Sequence, residues 1–217
     1  MFTDISESDI YYNVDNIIHR ILKAGNDAKR PTNEKINSLY VLSKMSEENF
    51  EFLEAFTRCR VLKNPPIKDL FEESVDALIN IVDLMRVMIS PDELNEFTGE
   101  LCNRVCNYLA CRLSSGIPVQ EVFIRVNDTR LINEFTKTSS EVIPLCLSAN
   151  GLSYKEYDPY ILVDKLAKLF EIICFINIDV ISEESPETYD LYDAMISKMF
   201  DAKFSKWSEK SKEIFEK

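Results

Sequence analysis

Residues 158–181 read DPYILVDKLAKLFEIICFINIDVI, and they decide the fold. Asp158 supplies an oxygen acceptor at a helix N-cap. Pro159 takes the first helical position, where a missing N–H costs nothing. Across 158–180, Ile161, Leu162, Leu166, Leu169, Phe170, Ile173 and Cys174 recur at the spacing of one helical face. The most apolar part, IICFINIDVI at 172–181, carries Asp179 and is shorter than the ~18 residues of a membrane span. A helix this apolar needs other helices around it, so the expected fold class is all-α.

Neighbouring segments repeat these signals. In 68–89, Leu70, Phe71, Val75, Leu78, Ile81, Val82, Met85 and Ile89 fall at helical spacing. Ser90-Pro91-Asp92-Glu93 and Ser185-Pro186-Glu187 pair a cap with proline and acids, which favour the positive end of a helix dipole. Gly25, Gly116 and Gly151 are expected C-caps. Pro65-Pro66 is a break, and Pro144 should kink or start a helix. The spacing predicts helices near 9–24, 33–45, 47–62, 68–89, 91–114, 118–136, 139–149, 158–180 and 186–214. FIRVND at 123–128 is the stretch most easily misread as a strand. The expectation is an antiparallel bundle of about eight to nine helices. Residues 1–35, one helix followed by the linker GNDAKRPTN at 25–33, are expected to form an N-terminal extension to a main domain at 36–217.

Composition limits the function. The chain has 217 residues, 46% of them hydrophobic, enough for one sizeable core. A formal net charge of −12 speaks against nucleic acid and anionic membranes as partners, because both demand a basic footprint. The opening MFTDISESD is unlike a secretory leader. Cys59, Cys102, Cys106, Cys111, Cys146 and Cys174 lie in apolar stretches, as reduced cytoplasmic thiols do. Cys102 and Cys106 are four residues apart, but no histidine stands near them to complete a metal set, so core packing is the reading and no metal or cofactor is expected. The single histidine, His19, sits in the extension helix beside Arg20. With no phosphate-binding glycine loop, zinc motif or nucleophile elbow, the chain is read as non-catalytic.

Five segments, in order, resemble the 14-3-3 family. NSLYVLSKMSEENFEFLEAF at 37–56 is similar to that family's opening helix pair. GELCNRVCNYLACRLSSGIP at 99–118 resembles its fourth helix and the following loop. EVFIRVNDTRLINEF at 121–135 resembles the fifth, with a Val-Phe entry and a phosphate-binding arginine. DPYILVDKLAKLFEIICF at 158–175 resembles the seventh. SEESPETYDLYDAMISKMFDAKFSKW at 182–207 resembles the last, ending in tryptophan. The resemblance implies a cup-shaped, all-helical protomer, a possible homodimer, and an adaptor groove for phosphoserine, phosphothreonine or acidic-motif peptides of protein partners. Arginine clusters hold such phosphates through charge-assisted bonds.

Carried over by position, the resemblance places Arg130 as the fifth-helix arginine, with Arg125 directed into the same groove. It leaves Arg86 from the third helix and Lys203 from the last as further phosphate ligands. Leu131, Leu166 and Trp207 would line the groove. Each has an ordinary reading too: Arg86 and Lys203 as surface cations, Trp207 as core packing. The pattern is also depleted. Leu131 replaces a tyrosine donor, Ala167 and Lys203 replace asparagines, Cys174 replaces a glutamate, and the chain between Cys174 and Trp207 is short for the family's eighth helix. The alternative is a helical scaffold or dimerisation protein that has lost phosphopeptide binding, its groove filled by its own extension or C-terminus.

Overall fold

The computed structural model describes residues 7–27, 34–62, 67–114, 126–153, 156–184 and 197–206. All regular structure among them is α-helical. The helices are α1 (Glu7–Asp27), α2 (Glu34–Val61), α3 (Ile67–Met88), α4 (Leu94–Ser114), α5 (Val126–Ala149), α6 (Pro159–Glu184) and α7 (197–206).

α6 is the axis of the molecule. Every residue from Leu169 to Val180 is buried, including Glu171, Asn177 and Asp179. A helix that is apolar on all sides must be enclosed, and α3, α4 and α5 enclose it. α2 packs outside α3 and α5, and α1 outside α3 and α4. The apolar stripe of α1 (Val14, Ile17, Ile18, Ile21, Leu22) belongs to the same core as α3 and α6, so this helix of the 1–35 segment is part of the common interior.

Cross-contacts give the helix directions. Asn49 meets Ser139, Phe52 meets Phe135 at 5.3 Å, and Arg60 meets Asp128, so α2 and α5 are antiparallel. Glu96 pairs with Tyr160, Arg104 with Asp164 and Arg112 with Glu171, so α4 and α6 run the same way. Both are antiparallel to α5, which lies between them in sequence: Lys165 meets Glu141, and Glu134 and Glu171 share Arg112.

Several helix ends match their sequence signals. The Tyr160 N–H donates to Asp158 Oδ1 at 2.8 Å, and the Leu162 N–H to the Asp158 carbonyl. The Ser90 signal does not cap α4: residues 91–93 form a turn, the helix begins at Leu94, and the Ser90 hydroxyl donates to Glu93 at 2.5 Å. Gly151 has φ +68°, and the N–H groups of Gly151 and Leu152 reach the carbonyls of Ser148 and Leu147, closing α5 in a Schellman motif.

Other boundaries differ from expectation. The segments expected at 33–45 and 47–62 form one helix, α2. Ser46, which falls at the expected break, donates to the Leu42 carbonyl within the helix. Likewise the 118–136 and 139–149 helices are continuous from Val126 to Ala149, with Pro144 inside. Packing of Val142 and Cys146 into the core holds α5 together there. Gly25 is not a C-cap. It lies inside α1, where a Cβ would come within 2.9 Å of Arg86 Nε. Gly116, Pro65-Pro66 and the Ser185-Pro186 cap lie outside the described residues.

Candidate functional site

The residues expected to bind phosphate occupy separate places. Arg130 is exposed near the start of α5. Arg86 lies in the last turn of α3 under α1, where Nε donates to Asp83 Oδ1 at 3.0 Å and Nη2 stands 2.9 Å from the same oxygen. Lys203, on α7, donates to Asp76 of α3. Arg125 and Trp207 fall outside the described side chains. Of the expected groove wall, Leu166 is fully buried and Leu131 almost so, and both pack into the core. No contact among the described residues joins Arg86, Lys203 and Arg130.

Asp76 and Asp83 are seven residues apart on α3, so they lie on nearly the same face about 10 Å from one another. That face, with α1 beside it, carries α7. Phe200 of α7 is fully buried, and Met199 and Phe204 pack against the core beside it. Arg20 of α1 donates to the Ser197 hydroxyl at 3.2 Å, the Ser197 carbonyl at 3.3 Å and Asp201 at 2.5 Å, with its guanidinium 5.8 Å from the Phe200 ring centre. Thus α7 sits in a groove with an arginine on the α1 side and carboxylates on the α3 side.

Those carboxylates are concentrated. Oxygens of Glu48 on α2 and Glu73 and Asp76 on α3 all lie within 4.8 Å of one another. Burial and the Asp76 charge push the Glu48 carboxyl up to about 7 and raise that of Glu73. Burial opposes charge on Lys203, but its bond to Asp76 and the charges of Asp76, Glu73 and Glu48 outweigh that and hold it protonated. On the far side, Lys44 stands 3.6 Å from Glu48 and 2.6 Å from Glu47.

Three more arginines serve the interior. Arg112 of α4 donates to buried Glu171 and, at 3.0 Å, to Glu134, over the Phe175 ring. Arg60 of α2 pairs with buried Asp179 and, at 3.5 Å, with Asp128, over Phe56. Arg104 joins Glu100 and Asp164, and Asp164 also accepts from Tyr108. Sequence reasoning missed these networks, although a signal was present. Asp83, Glu171 and Asp179 interrupt apolar runs, and a carboxylate that is buried needs a cation.

His19 is exposed and paired with Asp15 on its own helix. The half-buried Cys106 thiol is lowered by a hydrogen bond with Cys102 on the next turn. No family model, curated protein or solved structure matches the chain.

Proposed function

We propose that the chain is a non-catalytic helical adaptor, in the form that lacks a phosphate-binding groove. The carrying observation is the pairing of Arg86 with Asp83 and of Lys203 with Asp76, both on α3. A phosphate dianion needs several arginine bonds of about 1.5–3 kcal/mol each. Two of the four expected ligands would have to abandon a carboxylate to supply them. On this reading the 14-3-3 resemblance reflects a shared helical build, with Lys203 redeployed to tie α7 to α3 and Arg86 held within α3.

The test is a calorimetric titration of the full chain with one groove-type peptide in phosphoserine and unphosphorylated forms. Equal or absent binding of the two is expected. A tenfold preference for the phosphorylated peptide that Arg130→Ala removes would overturn the proposal and favour the phosphopeptide reading.

A further inference from the structure

The groove that α7 fills has an unusual chemical balance. Its wall toward α2 and α3 gathers Glu48, Glu73 and Asp76 within 4.8 Å, with Glu51 and Glu72 close by. Against these, α7 brings Lys203, bonded to Asp76, and Lys44 of α2 stands 3.6 Å from Glu48. The opposite wall offers Arg20, which takes a carboxylate and a hydroxyl from α7. Between the walls is an apolar seat filled by Phe200, with Phe204 stacked on it at 5.7 Å.

The occupant holds on by little. Of the ten described residues of α7 only Phe200 is buried, and Lys198, Asp201, Ala202, Ser205 and Lys206 are exposed. A helix with the same apolar face and more positive charge toward α3 would answer the carboxylates better than α7 does. The wheel puts the positions of Met199, Lys203 and Lys206 on that side, and Phe200 and Phe204 on the adjacent one.

We infer that the α1–α3 groove is a docking site for a basic amphipathic helix of a protein partner, and that α7 is a built-in occupant which the partner displaces. The partner helix carries aromatic residues four apart for the Phe200 and Phe204 seats. It carries lysine or arginine one residue before and three after the first aromatic, facing Glu48, Glu73 and Asp76. It keeps an acid for Arg20. This extends the adaptor reading and shares Lys203 and Asp76 with it, but one test reads a basic peptide and the other a phosphopeptide, so either can fail alone.

The probe is a labelled synthetic peptide of sequence 195–210 with Met199→Lys, which with Lys203 gives both specified cations, read by fluorescence anisotropy against the full-length chain. The wild-type chain should bind it weakly, because its own α7 competes. The Lys203→Glu chain, whose α7 is repelled by Asp76, should bind about tenfold more tightly. A Phe200→Ala, Phe204→Ala version of the peptide should not bind. An Asp76→Lys chain should lose binding of the basic peptide. Circular dichroism checks that each variant stays helical. If Lys203→Glu does not, Asp201→Ala, at an exposed position, loosens α7 from the Arg20 side and should show the same gain. Binding no tighter to the loosened chains than to wild type would overturn the inference, as would equal binding of the peptide lacking both phenylalanines. A concentration-dependent dimer of the loosened chain in sedimentation, with no peptide uptake, would identify the occupant as a second copy's α7 and also overturn it.

Discussion

Lys203 on α7 and Asp76 on α3, 127 residues apart, form an ion pair at the edge of a cluster of three carboxylates. Both are partly shielded, with side-chain exposures of 30% and 20%. The pair therefore sits between a solvent-screened surface bridge, worth under about 1 kcal/mol, and a buried one whose disruption costs about 3–5 kcal/mol. It joins the last described helix to the core, and it turns a residue expected to bind an external anion into an internal one.

The carboxylate cluster predicts a pH dependence. The folded pKa of Glu48 is raised to about 7 from an ordinary 4.5, and that of Glu73 is raised too. Between pH 4.5 and 7 the folded state therefore binds more protons than the unfolded state. Stability contributed here is present at low pH and is lost as pH rises toward 7. The groups facing Glu48 are Asp76, Glu73 and Glu51, opposed by Lys44. Glu48→Gln should raise the melting temperature at pH 8 and leave it almost unchanged at pH 5. Thermal melts across that range check this.

Gly25 and Arg86 make a second test. Glycine to alanine inside a helix ordinarily stabilises by about 1 kcal/mol. Here the new Cβ would press on Arg86 Nε at 2.9 Å, and that nitrogen is held by the buried Asp83. Gly25→Ala should therefore destabilise by about 1–2 kcal/mol in urea titrations. In an Arg86→Ala background the same change should be neutral or stabilising.

How much of this was legible in the sequence depends on range. All eight residues that the 3.6-residue pattern of 68–89 picked out, Leu70 through Ile89, are buried, because burial follows local periodicity, and Ala77, Ile79 and Leu84 join them. The pattern of 158–180 did nearly as well, though Ile161 faces solvent. The breaks expected at 46 and at 137–138 are absent, because α2 and α5 continue through them. The site was less readable. Asp83 with Arg86 is a one-turn pair, but Arg112 finds Glu171 across 59 residues, and Lys203 finds Asp76 across 127. Nothing local encodes those partnerships. A lysine on an amphipathic helix looks the same whether it faces water or a carboxylate.

Arg112 should be the most consequential arginine of the fold. Its removal leaves Glu171, which is 2% exposed, beside Glu134 with no guanidinium between them. Arg112→Met alone should cost about 3–5 kcal/mol. Arg112→Met with Glu171→Leu should recover most of that loss, because both buried charges are gone. Urea unfolding of the single and double variants measures both values.

The central claim is that the basic side chains of this chain bind its own carboxylates. A double-mutant cycle of Lys203→Ala and Asp76→Ala, read by urea unfolding of the full chain at low salt, tests it most directly. The account predicts a coupling of about 1–2 kcal/mol that shrinks as salt is raised. Strictly additive single substitutions, with a coupling under about 0.3 kcal/mol, would contradict it.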